Sequence, residues 1–140
     1  MQELLTFLSN HLPLTVAVII VFVLAIGVEG LRARRNVFLI RPTRAVSLIN
    51  RENAVVIDIR ANEAYGKGHI IDAIPMTLQE IKTPSKKLEK FRTRPIIMVG
   101  EGSEPQKIAE QLLKQGYQAY SLSGGMRAWQ EEQLPLVKDK

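Results

Sequence analysis

Polar and apolar residues are distributed very unevenly along the chain, and the pattern changes twice. From Leu12 to Val28 there are seventeen residues without a charge, rich in Val, Ile, Leu and Ala. As a helix rising about 1.5 Å per residue, this stretch covers roughly 26 Å of a ~30 Å hydrocarbon core. Leu31 and the flanking turns extend it, Glu29 falls near the headgroups, and Pro13 sits in the first turn, where an amide has no partner to lose. A buried core helix is usually shorter, and an interfacial helix would segregate polar and apolar faces. A cleaved signal peptide would carry its positive charge before the apolar run. Here Glu3 is the only charged side chain before it, and Arg32, Arg34 and Arg35 follow. The pattern predicts a single membrane span and a lipid contact through residues 12–31.

Beyond a basic stretch the pattern becomes that of a small folded domain. Thr43 is a candidate N-cap for a helix carrying Ala45, Val46, Leu48 and Ile49 at helical spacing. Ala54-Val-Val-Ile-Asp58 and Pro95-Ile-Ile-Met-Val99 are short continuous apolar runs, as expected of strands buried on both faces. Ala119-Tyr-Ser-Leu122 and the very short Ile74-Pro-Met76 are weaker strand candidates. Helices are expected over 85–91, over 105–115 with Gly116 as C-cap, and over 126–131 after Gly124-Gly125. Strands alternating with helices imply an α/β fold with a central parallel sheet, whose ligands sit beyond the carboxyl ends of the strands. The expected organisation is a tail and transmembrane helix over 1–31, a basic linker over 32–42 and one domain over 43–140.

Charge fixes the orientation. Arg32, Arg34, Arg35, Arg41 and Arg44 lie in thirteen residues that hold no acid. Basic residues beside a span stay in the cytoplasm, so the N-terminus should be outside and the domain inside. This local cluster, rather than a nucleic-acid surface, accounts for much of the net charge of +5, and no nucleic-acid partner is expected.

The chain contains no cysteine. Disulfides, thiolate nucleophiles and thiolate-bound metals are therefore excluded. No metal-ligand spacing is present either, and no cofactor or metal is expected.

Several motifs, in order, resemble the rhodanese-like domain family. They are Asp58-Ile-Arg60, Glu63-Ala-Tyr65 with Gly68-His69-Ile70, Ile74-Pro75, the strand Pro95–Val99 with its following loop, and Leu122-Ser-Gly-Gly-Met-Arg-Ala-Trp129. With the anchor in front, and with the opening Met1-Gln2-Glu3 and the ending Leu134-Pro-Leu-Val137, the chain resembles membrane-anchored bacterial members. The resemblance implies a three-layer domain on the cytoplasmic side of the bacterial inner membrane. It also implies that Asp58, Arg60, His69 and Trp129 are scaffold: an ion pair, a hydrogen-bonded turn histidine and a packed indole. Asp72 stands where the family usually has glycine, in a turn that Asp can follow.

In active members of the family, the loop after the central strand opens with a cysteine that carries sulfur as a persulfide. Loop amides and an arginine hold its charge, as an anion nest does. The matching stretch is Gly100, Glu101, Gly102, Ser103, Glu104, Pro105 and Gln106, with Gly100 at the nucleophile's place and Pro105 at the arginine's. Glu101 and Glu104 would each oppose an arriving anion by on the order of a kcal/mol. Ser103 lacks an identifiable activating base, since His69 is the only histidine in this part of the chain.

The expectation is therefore a membrane-tethered, catalytically inactive rhodanese-like domain serving as a protein-binding adaptor or regulator, with another membrane protein as partner. The alternative is a sulfurtransferase-related enzyme or an anion or small-molecule sensor without the nucleophile. A further candidate surface is Lys82, Lys86, Lys87, Lys90, Arg92 and Arg94, opposed within 82–94 only by Glu89, which could meet anionic lipid.

Overall fold

The computed structural model describes residues 1–36, 38–83 and 86–139, with the side chains of 33–36 left aside. The chain divides into two units, Met1–Val37 and Phe38–Lys140.

The first unit holds helices α1 (Gln2–Asn10) and α2 (Leu12–Asn36). The break falls at His11, whose φ of −116° and ψ of 35° leave helical geometry. Pro13 is the cause: it has no N–H to donate, and its ring crowds the carbonyl four residues back. Within α2 the window Leu12–Arg32 is 21 residues long, and none of it is buried within the structure. The stretch assigned from sequence to a linker begins instead as helix, since α2 runs on to Asn36. Neither Gly nor Pro occurs between Gly30 and Asn36 to stop it.

The second unit is a five-stranded parallel sheet in the order β1-β5-β4-β2-β3. The strands are β1 (Leu39–Ile40), β2 (Val55–Asp58), β3 (Ile74–Pro75), β4 (Ile96–Val99) and β5 (Ala119–Leu122). Helices α3 (Pro42–Glu52), α4 (Asn62–Lys67), α5 (Leu78–Lys82), α6 (Lys86–Glu89), α7 (Glu104–Lys114) and α8 (Gly125–Glu131) connect and cover them.

Side chains alternate across a strand, so a strand buried on both faces feeds two cores. Val56, Ile97 and Val99 pack with Leu48 of α3 and Trp129 of α8. Val55, Ile57, Ile96 and Met98 pack with Ile108 and Leu112 of α7. The ladder pairs Val55 with Ile96 through to Asp58 with Val99, which brings the carboxyl ends of β2 and β4 level.

Some boundaries differ from expectation. Helix α3 starts at Pro42, one residue before Thr43, and its N-cap Arg41 supplies no side-chain bond. Proline fits that first turn, whose N–H groups lack carbonyl partners in any case. Strand β1 lies within the stretch assigned to the linker, paired to β5 through Ser121 N–H to the Phe38 carbonyl (2.7 Å) and Ser123 N–H to the Ile40 carbonyl (2.8 Å). Of the helix expected over 85–91, Lys86–Glu89 is formed, and Ser85 lies outside the described residues. Helix α5 was not anticipated; it is held by a capping box between Thr77 and Glu80.

Two turns follow the sequence closely. Gly116 has φ of 91° and donates to the Leu113 carbonyl, while Tyr117 donates to that of Leu112. This is a Schellman motif closing α7. Asp72 adopts the left-handed conformation with φ of 60°.

Leu48 is wholly buried between α3 and the sheet. Leu48→Ala should cost about 2–5 kcal/mol. A urea titration followed by the emission of Trp129, the only tryptophan in the chain, measures that loss.

Candidate functional site

Strand β4 ends at Val99 and the chain turns at Gly100 into a loop that enters α7 at Glu104. Behind the turn lie Ile59 and Arg60, which follow β2, and beside it the Gly124-Gly125 turn that follows β5. These segments enclose a cleft of about 440 Å³ at the carboxyl edge of the sheet, where α/β folds place their ligands.

Gly100 decides what the site can do. A Cβ on it would lie 2.6 Å from Ile59 Cγ1 and 2.8 Å from Pro105 Cγ. Neither atom is the free end of a flexible chain: Cγ1 is near the root of a branched side chain, and Cγ belongs to a ring. Position 100 thus has no room for a Cβ unless Ile59 or Pro105 shifts. Gly125 approaches from the other side, and a Cβ on it would sit 3.0 Å from the Gly100 carbonyl oxygen.

The loop's electrostatics run the same way. Pro105 is buried and offers no N–H, which leaves one amide fewer at the start of α7. Glu104 occupies the first turn of α7, where a carboxylate already complements the helix dipole. It also pairs with Lys107 at 3.3 Å, a solvent-exposed contact worth little. Glu101, Gly102 and Ser103 are exposed, and Gly102 takes φ of 64° with open space around it.

Of the loop residues singled out from sequence, Gly100, Glu101, Gly102, Pro105 and Gln106 line the cleft together with Arg60. Ser103 and Glu104 do not line it, nor does His69. The fold therefore assembles no serine–histidine pair at this edge.

Arg60 reaches the cleft, but its charge is already committed. Its Nε and Nη2 donate to the Asp58 carboxylate at 2.7–3.1 Å, its backbone N–H donates to the same group at 3.0 Å, and Nη2 also donates to the Gly68 carbonyl at 2.8 Å. Asp58 is 1% exposed. Removing one member of such a pair leaves the other buried and uncompensated.

His69 places Nδ1 2.8 Å from the Tyr65 carbonyl and stacks on the Tyr65 ring at 3.8 Å between centroids. Its backbone exchanges hydrogen bonds with Val137. Tyr65, which closes the Glu63-Ala-Tyr65 motif, donates its hydroxyl to the Ala73 carbonyl at 2.6 Å. Burial first, then the carboxylates of Asp139 and Asp58, push its pKa above that of a free tyrosine. Trp129 is buried and donates its indole N–H to the Pro135 carbonyl at 3.1 Å.

The sequence did not mark Ile59, which packs against Gly100 from the end of β2, or Arg127, which lines the cleft and pairs with Glu131 at 3.0 Å, as parts of this site. Arg127 had a signal in its spacing after Gly124-Gly125; Ile59 had none.

The basic stretch 82–94 is more divided than its sequence suggests. Lys87 pairs with Glu80 at 3.0 Å, an acid just outside the stretch. Arg92 pairs with Glu89 at 2.9 Å, donates to the Gln115 carbonyl and lies over the Tyr117 ring. The Glu89 carboxyl is held below its usual range by Arg92 first and Tyr117 second. Arg94 turns to Asn53, bonding both its carbonyl and its side-chain oxygen. Lys82, Lys86 and Arg92 share one shallow depression, whereas Arg94 lines a different, mainly apolar cavity of about 590 Å³. That cavity lies by the start of β2 and Arg94, and it borders none of the residues Gly100–Gln106.

No group of three or more His, Cys, Asp or Glu among the described residues is arranged to hold a metal ion.

A parallel sheet with this strand order, an Asp58–Arg60 pair closing β2 and a β4–loop–α7 edge together define a rhodanese-like domain. Residues 41–132 match the rhodanese-like domain family, and the chain belongs to it. It is similar to YibN of Escherichia coli, 36% identical over 143 residues that take in the whole of both chains. It is also similar to the thiosulfate sulfurtransferase GlpE of Coxiella burnetii, 29% identical over 87 residues, which are 61% of this chain and 79% of that one. In fold it is similar to the crystal structure of a rhodanese-related protein from Thermoplasma volcanium, with a TM-score of 0.61 and 23% identity, covering 70% of this chain and 95% of that one.

The contacts at Gly100 give a stability test. Gly100→Ala should cost about 1–3 kcal/mol by overpacking. Ile59→Ala combined with it should recover part of that loss, so the pair is non-additive in a double-mutant cycle read by urea denaturation. Strict additivity would mean that Ile59 does not fill the site. Arg60→Ala, which strands Asp58, should cost about 3–5 kcal/mol in the same measurement.

Proposed function

We propose that this chain is a membrane-tethered, catalytically inactive rhodanese-like domain that acts as a protein-binding adaptor or regulator at the cytoplasmic face of a bacterial inner membrane. The observation that carries the reading is the closed nucleophile position: the chain has no cysteine, and Ile59 and Pro105 pack where one would project.

The similarity to GlpE raises sulfur transfer as the alternative. Sulfane sulfur needs a thiolate to hold it. Neither a thiol nor room for one is present, and Glu104 and Pro105 weaken the anion nest as well. What the loop does offer is an exposed surface, Glu101–Ser103, raised on a rigid strand–turn–helix frame, the kind of placement from which loops recognise partners.

The tether rests on α2. Its 21-residue apolar window measures about 31 Å along the axis, the thickness of a hydrocarbon core. Arg32, Arg34 and Arg35 at its carboxyl end favour a cytoplasmic domain. The full-length match to YibN includes this helix. Confinement to one membrane face raises the domain's effective concentration against membrane-bound partners. In the depression shared by Lys82, Lys86 and Arg92, Glu89 also lines the wall and pairs with Arg92, so Lys82 and Lys86 would supply the attraction to anionic lipid, about 1 kcal/mol per cation near the surface.

Photo-crosslinking in intact cells tests the adaptor reading. A photoreactive residue at Gly102 should capture a discrete membrane protein, and Glu101→Lys should weaken that capture. Capture only from a probe at Ile20 would place recognition in the helix. Silence from both would return the loop to the small-molecule reading.

A further inference from the structure

Two helices stand at the N-terminus where the sequence suggested a tail and one span, and their side-chain patterns differ. Helix α2 is apolar on all sides from Leu12 to Val28. Helix α1 is not. At about 100° per residue, Leu4, Leu5, Phe7 and Leu8 fall in one arc of about 160°. Gln2, Glu3, Thr6, Ser9 and Asn10 fall in the opposite arc of about 120°, and the two arcs do not overlap. The pattern changes at His11, the residue where the backbone breaks. The four apolar side chains are exposed, and no residue of α1 is buried.

From these observations we infer that α1 is an interfacial helix, lying along the outer membrane surface with its Leu4–Leu8 face in the headgroup–acyl boundary. The inference rests on the reading of α2 as a span. Three features select lipid as the occupant. The apolar arc is covalently continuous with the span through Leu12, so it cannot leave the vicinity of the bilayer. The span is already long enough without it, and extending it through α1 would carry Glu3 and four polar side chains into hydrocarbon. The charge asymmetry proposed above, with Arg32, Arg34 and Arg35 only after the span, gives α1 no basic residue that would hold it on the cytoplasmic face. A segregated polar and apolar face on a short helix suits the interface.

The arrangement sets the depth of the span. Helix α1 holds Leu12 at the outer boundary, and Arg32 then emerges at the inner one. Phe7, whose ring lies 4.8 Å from that of His11, places the aromatic pair at the break, at headgroup level.

Because the chain has no cysteine, a single introduced one reports from one place. The full chain carrying Leu8→Cys, Ser9→Cys or Ile20→Cys is labelled with an environment-sensitive fluorophore in phosphatidylcholine vesicles. Quenching is then compared between lipids brominated at shallow or deep acyl positions and aqueous iodide. The expected result is several-fold stronger shallow-lipid quenching at position 8 than at position 9, the reverse with iodide, and deep quenching alone at position 20. Equal iodide quenching at 8 and 9 with a lipid-buried probe at 20 would overturn the interfacial helix and leave the span standing. Deep quenching at both 8 and 9 would overturn it in favour of a longer span. Protection at 8 that disappears when the protein is diluted in lipid would assign the face to a second copy. Iodide access at 20 would overturn the span reading, and the inference with it.

Discussion

Strand β4 has no residue facing solvent: Ile96, Ile97, Met98 and Val99 are each wholly buried. A strand in that position must be covered on both faces, and its length of apolar run leaves no polar side for water. Helices α3 and α8 pack over one face and α7 over the other. The parallel pairing of β4 with β2 and β5 then aligns three carboxyl ends at one edge. Everything the domain can present to a ligand or partner follows from which residues the chain puts at that edge.

At that edge the packing is tight. Gly100 admits Ile59 and Pro105 into the volume a side chain would need, and Gly125 closes on its carbonyl. Pro105, the second residue of α7, has no N–H, and Glu104 in the same turn complements the helix dipole. Close by, the buried Asp58–Arg60 pair keeps its charges for the scaffold, with Arg60 tying the end of β2 to the Gly68 carbonyl. The scaffold is closely tied, and Glu101–Ser103 stand exposed on the loop that it carries.

The parts of this that were legible in the sequence are those with local causes. The continuous apolar runs named β2 and β4, the sheet's parallel α/β character followed from alternation, and Gly116 marked the end of α7 because its position requires a left-handed backbone. Strand β1 was not legible: two residues carry no pattern, and pairing with β5 alone makes them a strand. Helix α1 was hidden by its length and by a break that only Pro13 announces. Thr43 gave way to Arg41 as the cap because Pro42 suits the first turn. At the site, the missing cysteine could be read directly, but the intrusion of Ile59 could not, since it depends on register between β2 and β4. The basic stretch looked like one face because Glu80 and Asn53, which pair with Lys87 and Arg94, come from other elements.

The proposed closure of position 100 against a reactive side chain is tested most directly by placing a thiol there. The full-length Gly100→Cys protein would be incubated with thiosulfate, persulfide at the new thiol would be measured by mass spectrometry, and the urea midpoint would be followed through Trp129. Steric closure predicts a lowered midpoint and no thiosulfate-derived persulfide in the folded protein. Persulfide formed at an unchanged midpoint would show that the site has room and charge for sulfur after all, and would contradict the reading of this edge as a surface.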